Sequence, residues 1–172
     1  MGMDNDSFRT DMPHLVEFNA FLEELNKESD RGAALVCGAM LDDLLEKTIS
    51  AFLIEHKDMK KLLNGLNAPL GTFSSRIIMA YSLGLISEEE YEECNRLRSV
   101  RNEFSHRVHQ HFTDQKVQDI CGNLRFAAQN IPQHPNVPRA QFLTSATALI
   151  LTLTNRAHYV SQKRLTYKVW PY

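Results

Sequence analysis

Residues 96–106 read Arg-Leu-Arg-Ser-Val-Arg-Asn-Glu-Phe-Ser-His, a stretch that predicts one helix with two unlike faces. At about 100° per residue, an apolar stripe falls in one arc, and we expect it to be buried. Its members are Leu97, Val100, Phe104 and Val108. The other arc carries the polar side chains Arg98, Arg101, Asn102, Ser105, His106 and His109. This helix therefore presents a cationic face that can transfer protons, supported by an apolar face.

Apolar residues at helical spacing recur along the rest of the chain, and no segment alternates in the way a strand does. Helices are predicted over about residues 14–28, 30–57, 72–83, 87–106, 113–130 and 139–163. The expected fold is all-α: a single-domain antiparallel bundle of about six helices. We expect a flexible N-terminus at 1–13, one helical domain at 14–165 and a C-terminal tail at 166–172.

Local signals mark several helix ends. Asp30 is a candidate N-cap, Gly84 a candidate C′ residue, and Ser87 with Glu90 a capping box. We interpret the carboxylates that follow as a solvated first turn, namely Glu88, Glu89, Glu90, Glu92 and Glu93. The segment Asn64–Gly71 predicts an ordered loop, and the prolines within 131–138 exclude a continuous helix there.

The composition is that of a globular protein: 172 residues, 43% hydrophobic and 23% charged. Cys37, Cys94 and Cys121 are widely spaced and predict reduced thiols rather than a disulfide or zinc framework. Residues 1–12 lack the apolar region of a signal peptide, and residues 140–153 are too short to span a bilayer. We expect a soluble, cytoplasmic protein without membrane contact.

The net charge of −2 hides an asymmetry along the chain. Residues 1–119 hold 13 cations and all 21 acidic residues, a net charge of −8, whereas residues 120–172 hold six cations and no carboxylate. Either the two parts neutralise each other in the fold or in a dimer, or the basic part binds phosphate or an acidic protein. Lys163 and Arg164 are the candidate contacts in the basic part.

The polar face of the quoted helix has the residue types needed for general acid–base chemistry on RNA. His106 can move a proton near neutral pH, and Arg101 can stabilise charge on phosphate. Asn102 can orient the imidazole or contact phosphate, and the RNA 2′-OH can be the nucleophile, so neither metal nor cofactor is expected. Alternatively, Arg101 and Asn102 make surface or interface hydrogen bonds, and His106 is favoured at a helix C-terminus.

Two other kinds of site fit the sequence poorly. His106, His109 and His111 with Asp114 could suggest a metal site, but their spacing crosses the predicted helix end, and no metal is expected. A helix-turn-helix at 83–86 would place Ser87 and three glutamates against DNA phosphates, which would repel them. No glycine-rich phosphate loop or nucleophile elbow is present in the sequence.

The block Leu63–Ile77, followed by Ala80–Ile86 and Glu90–Glu92, resembles the mannitol operon repressor family. That family has a similar "GPLG…S.R…YGLG.I…EYE…L..LR…NH" pattern, and the resemblance extends from about Leu41 to His106. It implies an all-helical fold and a negative regulatory role in bacterial sugar-alcohol metabolism, or a role related to it. It also implies no recognisable DNA-binding motif, so repression through a protein partner is as compatible with it as operator contact.

Arg101, Asn102 and His106 also match the R-polar-x3-H motif of the HEPN superfamily of helical bundles. This resemblance implies a dimer that brings two motifs into one cleft and cleaves single-stranded RNA without metal. Many HEPN-like domains are non-catalytic, and a shared fold does not establish activity.

The sequence thus leaves three functions open, all compatible with a homodimer. The first is a bacterial repressor acting through a protein partner or operator DNA, and the second is a metal-independent HEPN-type endoribonuclease with Arg101, Asn102 and His106 as catalytic residues. The third is a non-catalytic scaffold that binds proteins through the loop at 64–73. The candidate contact residues for binding are Arg98, Ser105, His109, Asn64, Pro69, Gly71, Arg76, Lys163 and Arg164.

Overall fold

The computed structural model describes residues 13–65, 67–107, 109–127 and 137–171. All regular elements in these ranges are helices, so the all-α bundle predicted from the sequence is confirmed. They are α1 (Pro13–Lys27), α2 (Asp30–Phe52), α3 (Met59–Leu63), α4 (Phe73–Ser82), α5 (Glu88–His106), α6 (Gln115–Gly122), α7 (Val137–Thr154) and α8 (Arg156–Ser161). Residues 1–12, where a flexible N-terminus was predicted, lie outside the described residues.

Helix α2 lies at the centre of the bundle and packs against α4, α5, α7 and α8. Its fully buried side chains include Leu41, Leu45 and Ile49, which meet Leu97, Val100 and other apolar residues in one core. Arg31 donates to the backbone oxygen of Arg107, and Gly38 contacts Arg101. Helices α2 and α5 are therefore antiparallel, with the start of α2 beside the end of α5.

Three helices, α2, α4 and α5, begin with a side-chain N-cap. The hydroxyls of Ser29, Thr72 and Ser87 each accept a backbone N–H of the first turn. The predicted capping box is confirmed, because the Ser87 N–H donates to Glu90 at 2.8 Å. The N-cap of α2 is Ser29 and not Asp30, since the Ser29 hydroxyl is the group that accepts from Gly32.

Gly84 ends α4 as predicted and has a φ of 68°, where a side chain would be strained. Its N–H donates to the oxygen of Tyr81, and the Leu85 N–H donates to Ala80. This pair of hydrogen bonds is the Schellman motif, which sets the direction in which the chain enters α5.

Two predicted helix ends were wrong, and one helix predicted to be continuous is divided. Helix α2 ends at Phe52 rather than near residue 57, because Leu53 is extended and the Phe52 oxygen accepts the distant Leu165 N–H at 2.8 Å. Helix α6 ends at Gly122 rather than near residue 130. The side-chain amide of Asn123, the next residue, donates to the backbone oxygen of Asp119. The last helix is interrupted at Asn155, so α7 and α8 are separate.

The expectation that all five carboxylates near the start of α5 are solvated was also wrong. Glu93 is fully buried and Glu90 is nearly so. Glu93 accepts the backbone N–H groups of Arg125 and Phe126 at 3.1 and 3.0 Å, and also the Ser145 hydroxyl. Two of these donors are adjacent residues after α6 and the third is on α7, so this carboxylate joins α5, α7 and the segment after α6.

The three cysteines are free and buried, as the sequence predicted. Burial raises the pKa of each thiol to about 12, so these thiols stay protonated and unreactive at neutral pH. None of the helices within the described ranges is long and apolar enough to cross a membrane.

Candidate functional site

The polar face of α5 is held in place by the buried face of the same helix. Leu97, Val100 and Phe104 are all buried, as the spacing predicted, and the tilted rings of Phe104 and Phe112 pack with centroids 4.8 Å apart. Packing on this side fixes the rotation of the helix about its axis. The polar side chains on the rest of its circumference therefore have defined directions.

Arg101 lies where α5 crosses α2. A Cβ at position 38 would lie only 2.7 Å from its Cγ, so Gly38 permits the close approach of the arginine stem. Its Nη1 donates to Oδ1 of Asn102 at 3.2 Å. The arginine ion pairs within the described ranges are made by other residues, namely Arg76, Arg96, Arg107, Arg125, Arg139, Arg156 and Arg164.

Arg98 lies one turn before Arg101 and makes no ion pair with a described carboxylate either. Its Nε atom is buried and has no hydrogen-bond partner. The Ser105 hydroxyl donates to the Asn102 backbone oxygen at 2.9 Å and so stays close to the helix. Two neighbouring guanidinium groups thus carry positive charge that the described part of the chain does not neutralise.

His106 is the last residue of α5, and His109 follows in a turn; both are exposed. No hydrogen bond joins the His106 imidazole to another described residue. Positions 101 and 106 differ by about 140° around an ideal helix, so the two side chains point to different sides of α5. Arg101 is hydrogen-bonded to Asn102, whereas no hydrogen bond among the described residues joins His106 to either of them.

A polar cleft of about 690 Å³ lies between α5 and α6. Sequence reasoning missed it, although Asn95, Ser99 and Asn102 follow one another at helical spacing and gave the only signal for it. Much of its polar lining is already paired; Lys116, for example, contacts Glu103 at 2.6 Å. The lining residues are Asn95, Arg96, Ser99, Asn102, Glu103, Lys116, Asp119, Ile120 and Asn123.

Arg76, which is buried, holds the loop before α4 in place. Its guanidinium donates to the backbone oxygens of Leu70 and Leu63, both at 2.9 Å, and pairs with Asp42 and Glu46 at 2.8 and 2.6 Å. The Arg76 guanidinium therefore lies inside the protein and bonds groups of its own chain.

The other predicted loop residues, Asn64, Pro69 and Gly71, are exposed. Asn64 donates to Glu46 at 2.6 Å, and the Gly71 N–H donates to the oxygen of Ala68 at 3.0 Å. Gly65 and Asn67 have positive φ values of 111° and 64°. The loop thus has a defined shape with an accessible outer surface.

Lys163 and Arg164 lie far from the end of α5. They follow α8, and the next residue bonds the oxygen of Phe52 at the end of α2. Because α2 and α5 are antiparallel, this is the opposite end of the bundle from His106. Both side chains are exposed, and Arg164 contacts Glu55 at 3.4 Å.

Among the described residues, no group of three or more histidine, cysteine, aspartate or glutamate side chains could hold a metal ion.

Comparison with known proteins places this helical bundle among bacterial regulatory proteins of the repressor type. The family model described as "Mannitol repressor" matches residues 17–164, and the chain belongs to that family. It is 27% identical over 168 residues to the mannitol operon repressors of Escherichia coli K12 and E. coli O6:H1 strain CFT073; each match covers 85% of this chain and 83% of the relative.

A solved structure supports the same assignment. The X-ray structure of the MtlR–HPr complex from E. coli contains a chain that matches with a TM-score of 0.60 and 26% identity. The match covers 84% of this chain and 98% of the other. Family membership together with this match supports a regulatory repressor function.

Proposed function

We propose that this protein is a cytoplasmic negative regulator of gene expression that acts as a homodimer and through contact with a protein partner of the HPr type. The observation that carries the proposal is the match over 84% of this chain to a chain solved in complex with HPr. Regulation then depends on occupation of a protein-binding surface, and no enzymatic step is needed.

Direct reading of operator DNA fits the geometry less well. Helix α5 would be the reader after the turn at Gly84, yet Glu88 and Glu89 are exposed in its first turn. Carboxylates at that position oppose the phosphate backbone, whose neutralisation by cations supplies most of the affinity for DNA. A protein partner avoids this repulsion.

The cationic face of α5 is the surface we assign to the partner. Arg98 and Arg101 have no described carboxylate partner, and His106 at the end of α5 and His109 in the turn after it are exposed. Positive charge left unneutralised on a rigid helix favours an acidic partner surface, through both steering and charge-assisted hydrogen bonds. Arginine is also enriched among the residues that dominate binding energy at interfaces.

We expect Arg98→Ala to weaken binding of purified E. coli HPr by at least about tenfold, because one guanidinium at the centre of an interface contributes about 2 kcal/mol or more. Isothermal titration calorimetry on the full chain measures the effect. Arg101→Met is the second variant, since it keeps the stem that packs on Gly38 and removes only the charge.

Arg164→Ala is the matched control at the other end of the bundle and should leave the affinity for HPr unchanged. Loss of binding in Pro69→Ser instead of Arg98→Ala would move the contact to the loop at 64–73, in line with a scaffold. The proposal fails if the wild-type protein does not bind HPr but binds promoter DNA with a steep salt dependence.

An endoribonuclease is the second candidate, and one observation favours it. Arg101 is hydrogen-bonded to Asn102, and the His106 imidazole is exposed and free of partners in the described part of the chain. One helix therefore carries the two residue types that cleavage through the RNA 2′-OH requires, a histidine that can transfer a proton and an arginine that can bind phosphate, on different sides of its axis.

Under this second candidate, wild type should cleave mixed single-stranded RNA in EDTA, whereas Arg101→Met and His106→Ala should not. Melting temperatures serve as the control, and His106→Ala should melt with wild type because the side chain is exposed. If wild type leaves the RNA intact while all three proteins are folded, the nuclease is ruled out and the regulator remains.

A further inference from the structure

Large hydrophobic side chains are exposed in an uneven pattern. Across the described ranges, nine such residues are exposed, and seven of them lie on α4, on α8 or in the C-terminal arm, residues 162–171. Trp170 is 75% exposed and Tyr167 is 79% exposed. Exposed apolar side chains concentrated in this way mark an interaction site. The seven are Ile78, Tyr81, Tyr159, Leu165, Tyr167, Val169 and Trp170.

These elements meet at one end of the bundle. Tyr81 of α4 stacks on Tyr91 of α5, with ring centroids 4.6 Å apart. Arg156 at the start of α8 donates to the oxygen of Leu85 at 2.7 Å and pairs with Glu90 at 2.6 Å. The N–H of Leu165 in the arm bonds Phe52 at the end of α2. The arm end, defined as α4, the start of α5, α8 and the arm, is thus one continuous surface.

The arm lies beside the segment that follows α2 and is not helical. After Ser161 no described residue is helical, and Leu165 has the last backbone N–H in the described chain that is bonded to another backbone group. Two shallow cavities of about 520 and 310 Å³ flank it, with Leu53, Ile54 and Leu62 among their lining. Its apolar side chains therefore lack a complete packing partner among the described residues of one copy.

The arm end has a basic part and an acidic part, so two copies of it are complementary in charge. The arm carries Lys163, Arg164 and Lys168 and no carboxylate. The same end exposes Glu88 and Glu89 in the first turn of α5. A surface with separate basic and acidic parts can pair with its own copy across a two-fold axis, because each part then meets its opposite.

We propose that the arm end is a two-fold interface with a second copy of this chain. The arm of each protomer lies against α4 and the start of α5 of its partner, with Tyr167 and Trp170 as apolar anchors. Lys163 and Lys168 then face Glu88 and Glu89 of the other copy. The inference rests on the homodimer of the proposed function and gives it a surface, and it leaves the α5 face at the opposite end free for the protein partner.

The test is sedimentation velocity of the full chain over a wide range of concentration. Replacing both Tyr167 and Trp170 by serine should weaken association at least about tenfold, since aromatic anchors dominate interface energies. Val36→Ser is the matched control, an exposed apolar residue on α2 that should leave association unchanged. Melting temperatures measured at concentrations where both proteins are monomeric should match, because the arm side chains are exposed in a single copy.

A charge-reversal set identifies the pairing directly. Lys163→Glu with Lys168→Glu should weaken association, as should Glu88→Lys with Glu89→Lys, and the four changes combined should restore it. If the combined variant does not recover association, or if the serine variant associates like wild type, the arm end is not the dimer interface, although the homodimer itself is not refuted. A wild type that stays monomeric at every concentration refutes the homodimer itself, and calorimetry with HPr tests the partner separately.

Discussion

Replacing Glu93 by glutamine should lower the free energy of unfolding by about 3–5 kcal/mol, the range for removing one partner from a buried charge pair. The carboxylate is fully buried and accepts the N–H groups of Arg125 and Phe126, the Ser145 hydroxyl and, at 3.2 Å, a guanidinium N–H of Arg96. Glutamine keeps the shape but turns one acceptor oxygen into a donor. Buried donors would then face another donor.

Chemical denaturation and thermal melting measure the loss, which corresponds to roughly 10 °C in melting temperature for a chain of this size. Glu92→Gln is the matched control, because Glu92 pairs with Arg96 and Arg125 at the surface and should cost at most about 1 kcal/mol. Ser145→Ala removes a single donor and should cost about 1 kcal/mol. Equal losses for Glu93→Gln and Glu92→Gln would show that the buried carboxylate is not a stabilising hub.

The sequence predicts the start of α5 well, because the determinants are local. Ser87 and Glu90 satisfy each other's backbone groups across three residues, and Gly84 adopts the positive φ that its neighbours require. The apolar stripe of α5 is equally local, since Leu97, Val100 and Phe104 follow from helical spacing alone. Interactions of this range fix most of the helices.

Long-range polar contacts could not be predicted in the same way. Glu93 stands in a run of glutamates that is typical of a solvated first turn, yet it bonds Ser145, 52 residues away. One signal was present: Glu93 lies four residues before Leu97 and shares its buried arc. The run of glutamates nevertheless favoured the prediction of a solvated turn, because a carboxylate is rarely buried unless several donors converge on it.

The candidate site shows the same division. Spacing predicted that Arg101 and Asn102 lie on the polar side of a helix, and the two are in contact. The approach of Arg101 to Gly38 and the cleft formed with α6 depend on how helices distant in sequence pack. Pairing between helices is decided by tertiary packing, which a single sequence does not specify.

Replacing Arg76 by lysine should cost about 2–4 kcal/mol and loosen the loop at 64–71, because lysine cannot reproduce a planar fork of donors. The guanidinium connects the oxygens of Leu63 at the end of α3 and Leu70 on the loop to Asp42 and Glu46 on α2. An ammonium group has three donors at one point and cannot reach all four groups. Arg76→Ala should cost more, about 3–5 kcal/mol, since it leaves two partly buried carboxylates uncompensated.

Two measurements separate a general loss of stability from a local one. Chemical denaturation gives the free energy of unfolding, and hydrogen exchange at Leu70 reports the loop, because its N–H bonds the oxygen of Leu62 at 2.9 Å. Arg125→Lys is the matched control, an exposed arginine with one surface ion pair to Glu92, and should change neither. If exchange at Leu70 in Arg76→Lys matches that of the control, the loop holds its shape without the guanidinium. Faster exchange in Arg76→Lys alone would tie the loop's outer surface, and any partner that binds there, to this one buried charge.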